Sequence, residues 1–208
     1  MTQGGLRERK ALQTREALLR AAFRSFDEVG YEATTLEGVC AEAQVSVRTF
    51  FRYFESKADL VLEPNRVAAA RLLEAVNAST AKDLFDTLTE QYARVSRDLE
   101  HDSTARRRLD LLLSDQQLLA RLLSLDLDVE TSISRRLRSS APQKSDPLPY
   151  DLAAATIVSG VRHVIVGHLT GRSKCSNLAA ETGRVVRLAE SALAAWTSQS
   201  PQPRGKRQ

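Results

Sequence analysis

Apolar residues recur at intervals of three and four positions along almost the whole chain, which is the spacing of one face of an α-helix. The first such segment ends at Gly30 and carries a single apolar stripe, formed by Ala17, Leu18, Ala21, Ala22 and Phe26. We find no strand-like alternation of polar and apolar residues and no internal repeat. The pattern therefore predicts an all-α protein.

Capping residues after Gly30 predict a short helix. Thr34 and Glu37 have the spacing of a capping box, so this helix is expected to start near Thr35 and to end near Ala43. A capping box satisfies two of the backbone N–H groups that the first helical turn leaves without partners.

Two more helix starts follow within fifteen residues. Ser46 is a favourable N-cap for a second short helix over residues 47–53. Ser56 and Asp59 repeat the cap signature and open a longer helix. Pro64 lies inside this longer helix and is expected to kink or split it at the preceding residue.

Longer helices are predicted in the remainder of the chain, at about residues 81–99, 104–113, 116–138, 150–170 and 176–198. The loop at residues 140–150 contains three prolines and is the clearest break. We expect a three-helix unit at residues 8–55, a helical domain at residues 56–198 and a disordered basic tail at residues 199–208.

Charge is distributed unevenly along the 208 residues, whose net charge is +4. Residues 7–24 contain six cations and two anions, and residues 48–57 contain three cations and one anion, whereas residues 27–42 contain five anions and no cation. Local positive segments, and not the total charge, therefore indicate where nucleic acid would be contacted.

The longest apolar segment, residues 151–169, carries Arg162 and His163 near its centre. Because a bilayer disfavours such charge, we expect a buried helix and a soluble, cytoplasmic protein without membrane contact. Cys40 and Cys175 lack the spacing of a metal site or a disulfide framework, so we expect two reduced thiols.

Aromatic rings and cations alternate in QVSVRTFFRYFESK, residues 44–57. Two short helices joined by a tight turn, with cations on the second helix, are typical of a helix-turn-helix. Side chains near the start of the second helix, including Arg48, would reach base edges in a major groove. Tyr53 and Lys57 would lie one or two turns later, near the phosphates.

The rings of this segment are expected to face mainly inward. Phe50 and Phe54 are four positions apart on one helical face and should pack on Phe23, Phe26 and Val39. An alternative interpretation is a solvated helix whose rings only hold a small domain together. Three capped helices at one end of a helical chain favour DNA binding over that alternative.

The run ATTLEGVCAEAQVSVRTFFRYFESKADL resembles the N-terminal domain of the TetR family of bacterial transcription regulators, with similarity over about residues 12–62. The resemblance includes Tyr31 and the two threonines that follow it, as well as the closing Phe-Arg-Tyr-Phe-x-Ser-Lys. It implies a homodimeric repressor on a near-palindromic DNA operator. The DNA contacts that it implies, together with the outward-facing Arg52, are Thr34, Thr35, Ser46, Arg48, Thr49, Arg52, Tyr53 and Lys57.

Two residues depart from the family pattern. Gln44 occupies the turn position where the family usually has glycine, and a left-handed conformation there would cost about 1 kcal/mol. Glu55 places a negative charge where it would oppose phosphate binding. Both leave open a second hypothesis, a helical ligand-binding or scaffold protein with a degenerate DNA-reading unit.

The segment STARRRLDLLLSDQQLLARLLSLDLDVETSISRRL resembles, weakly, a mycofactocin-regulator-like subgroup of the family that responds to long-chain acyl-CoA. The resemblance implies a small effector, either acyl-CoA-like or another apolar compound. Candidate contacts are Arg106, Leu109, Leu113, Leu122 and His163. The arginines at 106–108 could hold an anionic headgroup or merely neutralise Asp102 and Asp110, and we favour neutralisation.

The last two predicted helices are rich in small residues, which allow helices to approach closely. They are consistent with a homodimer interface of four helices, two from each chain, or with a core inside one chain. Trp196 would then be an interface anchor or a cap on that core.

The sequence lacks the signatures of an enzyme. The three histidines are not arranged as a metal or catalytic set, and there is no HExxH motif, glycine-rich phosphate loop or nucleophile elbow. We therefore expect a regulator, not an enzyme, and no cofactor or metal.

Overall fold

The computed structural model describes residues 3–142, 145–173 and 175–199. The all-α class is confirmed, because helices and no strand occur in the described ranges. The helices are α1 (Gln3–Val29), α2 (Leu36–Glu42), α3 (Val47–Phe50), α4 (Lys57–Ala78), α5 (Leu84–His101), α6 (Ala105–Ser114), α7 (Gln116–Arg138), α8 (Leu148–Leu169) and α9 (Leu178–Gln199).

The helices form two compact units. The first contains the chain up to Pro64 together with Asp110–Leu119, and the second contains Asn65–Leu109 and the chain from Ala120 onwards. The beginning of α4 thus belongs to the first unit, although the sequence suggested a boundary before residue 56. The tail predicted at residues 199–208 lies, apart from Gln199, outside the described residues.

The core of the first unit uses the apolar stripe that the sequence indicated on α1. Leu18, Ala21 and Ala22 are completely buried, and Phe26 is 7% exposed. Gly30 follows α1 with a φ of +86°, a left-handed conformation that glycine adopts without the steric cost of a Cβ atom. The stripe therefore provides the surface on which the short helices fold.

Capping decides where α2 and α3 begin. The N-cap of α2 is Thr35, whose hydroxyl accepts a hydrogen bond from the Gly38 backbone N–H at 3.1 Å. The predicted capping box of Thr34 with Glu37 was therefore placed one residue too early. Ser46 is the N-cap of α3, as predicted, and its hydroxyl accepts from the Thr49 N–H at 3.0 Å.

Two other predicted features differ in extent. Helix α3 ends at Phe50 instead of residue 53, but helical bonding continues briefly, since the Phe54 N–H donates to the Phe50 carbonyl at 3.0 Å. Pro64 does not split α4, which runs unbroken from Lys57 to Ala78. Proline removes one backbone donor, and neighbouring bonds hold the helix together around it.

The second unit has a continuous apolar core in which α9 packs against both α5 and α8. Gly160 of α8 is essential to this packing, because a Cβ atom there would lie 2.6 Å from a methyl carbon of Val185. At this position the small residue of α8 allows close helix packing within one chain. The sequence had left this role open as the alternative to a contact across a dimer interface.

Helix α8 is the single helix in the described part of the chain that is long and apolar enough, by length and composition, to cross a membrane. A core helix passes the same test, and α8 packs against α9. Arg162, near its centre, forms an ion pair with Asp126 of α7.

Gln44 lies in the turn between α2 and α3 with a φ of +57°, and it is the single non-glycine residue with positive φ in the described ranges. We expect Gln44→Gly to raise the free energy of unfolding by about 1 kcal/mol, because glycine lacks the steric penalty of the left-handed region. Urea unfolding measures the change.

The control for this prediction is Gln13→Gly in the middle of α1, where the residue is exposed and helical. There the same substitution should lower stability by about 1 kcal/mol. A loss of stability at both positions would show that the Gln44 conformation carries no strain.

Candidate nucleic-acid interface

The candidate interface is α3 and the turn before it. Four residues cannot form a stable helix alone, so α3 depends on its cap and on packing. The turn is closed by backbone bonds from the Gln44 N–H to the Ala41 carbonyl at 3.1 Å and from the Val45 N–H to the Cys40 carbonyl at 2.9 Å. Burial raises the pKa of the Cys40 thiol and nearby Glu37 raises it further, which lowers the fraction present as the reactive thiolate.

Aromatic rings support α3 from below. Phe50 is completely buried and Phe54 is 2% exposed, with their ring centroids 5.6 Å apart. Val39 of α2 is also fully buried, and Phe26 of α1 is nearly so. The predicted inward orientation of Phe50 and Phe54 is therefore confirmed, and it fixes which face of α3 points outward.

The outer face of α3 and of the following turn carries cations and one ring. Ser46, Arg48 and Arg52 are exposed, and Thr49 and Tyr53 are half-buried. Arg52 lies over the Tyr53 ring at 5.9 Å. Phe51 is 55% exposed and packs edge-on against Phe50 with ring centroids 5.4 Å apart. This combination can meet phosphates, base edges and thymine methyl groups.

Some predicted contact residues are already engaged inside the unit. The Thr34 side chain is buried, and its hydroxyl donates to the Gly30 carbonyl at 2.8 Å. The Lys57 ammonium donates to the carbonyls of Tyr31, Glu32 and Thr34 at 2.6, 3.2 and 3.1 Å. It also lies 4.4 Å from the centroid of the Tyr31 ring. These contacts make Lys57 a clamp on the loop between α1 and α2.

The hydroxyls near the start of α3 are also bonded to each other. Ser46 and Thr49 lie 2.9 Å apart at their side-chain oxygens, and Thr35 caps α2 from an exposed position. Arg48 and Arg52 are the predicted contact residues whose charged ends are most available to a duplex.

Two carboxylates near the interface are engaged by local partners. Arg24 pairs with Glu42 at 2.5 Å, and Asp59 accepts hydrogen bonds from the backbone of Glu55 and Ser56, each at 2.9 Å. Glu55 itself is exposed beside Tyr53. The anions of the unit therefore oppose a polyanion less than their number suggests.

Sequence reasoning missed an ion pair between α1 and α4 that joins the partly exposed Arg15 to the buried Glu63. Arg15 donates to Glu63, which is 3% exposed, and the Arg15 guanidinium lies 5.3 Å from the Phe54 ring centroid. A signal was present, because Arg15 lies three residues before Leu18 and so falls on the apolar stripe. A charge on such a face needs a buried partner.

Residues 18–63 match the family described as bacterial regulatory proteins, tetR family. The N-terminal domain is that of the TetR family. Similarity in sequence to known proteins covers only part of the chain. The HTH-type transcriptional regulator TcmR of Streptomyces glaucescens is 40% identical over 77 residues, which cover 37% of this chain and about a third of TcmR (34%).

Solved structures extend the likeness in fold to most of the chain. The fatty acid degradation regulator FadR of Bacillus halodurans superposes with a TM-score of 0.58 at 19% identity, covering 84% of this chain and 96% of that one. SmeT, the repressor of a multidrug efflux pump of Stenotrophomonas maltophilia, gives 0.57 at 22% identity, covering 92% and 100%. At such identities the likeness concerns the fold alone.

The five predicted effector contacts fall in both units and differ in exposure. In the second unit, Leu109 is buried, Leu122 is half-buried and His163 is exposed, while Arg106 donates to the Leu169 carbonyl. Leu113 belongs to the first unit and is 47% exposed.

One arginine of the cluster near the start of α6 forms an ion pair with a neighbouring carboxylate. Arg108 is 5% exposed and donates to Asp102 at 2.7 Å. Burial tends to raise the pKa of Asp102, but hydrogen bonds from Thr104 and Arg108 outweigh it and hold the pKa below its usual value. For Arg108, the neutralising role that the sequence favoured is confirmed.

A cavity of about 800 Å³ lies elsewhere in the second unit, and the described residues that line it are of polar or charged types. It is lined by Glu130, Thr131, Ser134, Arg135, Arg138, Ser139 and Asp151. None of the five predicted effector contacts lines it. Among the described residues, no group of three or more His, Cys, Asp or Glu side chains could hold a metal ion.

We expect Lys57→Met to lower the free energy of unfolding by about 1.5–3 kcal/mol, the range for hydrogen bonds that involve a charged group. The reason is that three loop carbonyls lose their shared donor. Urea unfolding of the purified variant measures the loss.

The matched control is Arg52→Met, which removes an exposed cation five residues away and should change stability by no more than about 0.5 kcal/mol. Equal losses in the free energy of unfolding of the two variants would show that the hydrogen bonds of Lys57 add nothing to the effect of its charge.

Proposed function

We propose that the protein is a homodimeric, ligand-responsive transcription regulator that represses by binding a near-palindromic DNA operator in the cytoplasm. The observation that carries the proposal is the outer face of α3 and of the turn that follows it, where Arg48 and Arg52 are exposed while Phe50 and Phe54 are buried. The match of residues 18–63 to the TetR family supports it independently.

Arg48 is the proposed base reader. It lies in the first turn of α3, directly after the Ser46 cap and the first helical residue, where a helix seated in a major groove brings its side chains to base edges. A guanidinium makes two parallel hydrogen bonds to guanine, which an ammonium cannot reproduce. Ser46 and Thr49 are proposed to add contacts beside it, with Thr35, Arg52 and Tyr53 on the phosphates.

The structure changes the roles proposed for Thr34 and Lys57. Because Thr34 is buried and Lys57 is bonded to three carbonyls, we propose that they act on DNA by shaping the loop between α1 and α2. Direct phosphate contact by Lys57 would require it to give up hydrogen bonds that it already makes.

Homodimerisation is proposed through α8 and α9. Both helices bury one side in their own unit and expose large apolar residues on another: Leu148, Leu152, Leu188 and Trp196 are 48%, 46%, 65% and 46% exposed. Exposed side chains of this size on neighbouring helices are typical of an association surface.

A small, largely apolar effector is proposed for the second unit. Two solved relatives of similar fold, the FadR proteins of Bacillus subtilis and Thermus thermophilus, were crystallised with stearoyl-CoA and lauroyl-CoA. Such an effector would bind a DNA-free conformation of the dimer more tightly than the DNA-bound conformation. The affinity for DNA would then fall by the ratio of the effector's affinities for the two conformations.

The deciding experiment is titration of the protein against the DNA that flanks its own gene, with excess competitor DNA and at two salt concentrations. A regulator should bind one near-palindromic segment with saturation, and its affinity should fall steeply with salt because phosphate contacts release counterions. Weak binding that is equal on all sequences would favour the second candidate, a helical binding protein with a degenerate reader. The strained Gln44 turn and exposed Glu55 are the observations in favour of that candidate.

Arg48→Ala should weaken binding to the preferred duplex by about 1–3 kcal/mol and relax base preference at one position of each half-site. Competition binding against a set of single-base operator variants measures both changes. Arg94→Ala, which removes an exposed cation from α5 in the second unit, is the control and should leave the base preference intact. Unchanged preference in Arg48→Ala would remove Arg48 as a base reader.

Leu188→Glu should dissociate the dimer, because it would place a charge in the apolar centre of the proposed α8–α9 surface. Sedimentation equilibrium should show a dimer dissociation constant raised by at least about tenfold. Leu127→Glu makes the same change at a 60% exposed leucine of α7 and should leave the dimer intact. Dissociation by the α7 change alone would place the interface elsewhere.

A further inference from the structure

The polar cavity of the second unit, which Glu130, Asp151 and five neighbours line, lies where the end of α7 meets the start of α8. Six of its lining residues belong to α7 or directly follow it, and Asp151 belongs to the first turn of α8. Its volume is about 800 Å³, within the range of about 300–1,000 Å³ that is typical of small-molecule pockets. The cavity therefore has room for a ligand with several functional groups.

Packing on the opposite side of α7 fixes the wall that this helix gives to the polar cavity. Val129, Ile133 and Leu137 recur every four residues and are buried in the apolar core. The Ser134 hydroxyl, on the cavity side, donates a hydrogen bond to Asp151 and so joins α7 to α8. A ligand would meet groups that are already held in place, which reduces the entropy lost on binding.

Both signs of charge line the polar cavity. Glu130 and Asp151 are carboxylates and Arg135 and Arg138 are guanidiniums, so the lining charges sum to zero. In the described part of the chain, no ion pair or side-chain hydrogen bond engages the charged groups of Glu130, Arg135 or Arg138. An ion of one sign would be attracted by one pair and repelled by the other, whereas a zwitterion can match both.

The charges follow a definite order along α7. At a rise of about 1.5 Å per residue, Glu130 precedes Arg135 by about 7.5 Å and Arg138 by about 12 Å along the helix axis. Thr131 and Ser134 lie between these charges and add hydroxyl groups to the same wall. An extended peptide of three or four residues spans about 10–14 Å between its ends. The order and the span therefore suit a short peptide whose ammonium group lies at Glu130 and whose carboxylate lies at the arginines.

We propose that the polar cavity binds a short peptide of three or four residues with free ends. The guanidiniums of Arg135 and Arg138 bind its terminal carboxylate through charge-assisted hydrogen bonds, and the Glu130 carboxylate binds its ammonium group. The Asp151 carboxylate and the Thr131 hydroxyl bond the amide groups between the ends. This site is separate from the predicted effector contacts, none of which lines the cavity, and peptide binding does not depend on DNA.

The test uses three probes with one backbone: trialanine, N-acetyl-trialanine and trialanine amide. Their dissociation constants for the full-length protein are measured by calorimetric titration at neutral pH. Trialanine should bind about tenfold more tightly than either blocked peptide, because each blocked end loses its charge-assisted hydrogen bonds. Equal binding of the three peptides, or no binding of trialanine, would overturn the proposal.

Two substitutions assign the ends of the peptide. Arg138→Gln should remove most of the preference for trialanine over its amide and leave the affinity for the amide unchanged. Glu130→Gln should remove most of the preference for trialanine over the acetylated peptide. The control is Arg94→Gln, which removes an exposed arginine of α5 that does not line the cavity and should preserve both preferences.

A purely structural role for Arg138 has a different signature. A cation in the last turn of a helix stabilises that end, so its loss would lower the melting temperature. It would then weaken the binding of all three peptides equally, and that result would overturn the proposal. Titration against DNA keeps the regulator separate, since selective DNA binding without trialanine binding would refute the peptide site alone.

Discussion

The first unit depends on the burial of two phenylalanine rings beneath a helix of four residues. A helix this short has no stability of its own, so α3 exists because Phe50 and Phe54 are removed from water and because Ser46 caps its first turn. The same burial sets the rotation of the helix about its axis. Arg48 and Arg52 point outward as a consequence, so packing determines the geometry of the charged surface.

Around this core, charged side chains act largely as structural connectors. Lys57 holds the loop between α1 and α2 by donating hydrogen bonds to backbone carbonyls of that loop. The Arg15–Glu63 pair joins α1 to the start of α4. Breaking a buried ion pair by removing one partner is far more costly than losing an exposed pair. Substitutions that reduce DNA binding in this unit must therefore be separated into those that remove a contact and those that loosen the scaffold.

The sequence was sufficient for what depends on local chemistry. The α1 stripe and the Ser46 cap follow from neighbouring residues, whereas the left-handed turn at Gln44 follows from the resemblance of this segment to the TetR family. The structure agrees with each. The sequence was insufficient where partners are distant in the chain. No local pattern shows that the Lys57 ammonium reaches the carbonyl of Tyr31, twenty-six residues earlier. The five effector contacts stay a prediction for the same reason, because helical periodicity identifies a face but not the helix opposite it.

The buried position of Cys40 has a practical consequence for studying the protein. Its thiol is 2% exposed within α2, whereas Cys175 lies half-buried in the segment between α8 and α9. A thiol reagent in the native state should therefore modify the two cysteines in separate kinetic phases, and the slow phase requires the helix-turn-helix to open. The wild-type chain thus contains an internal reporter of local opening around α2, and the rate of that opening can be followed with and without a DNA duplex.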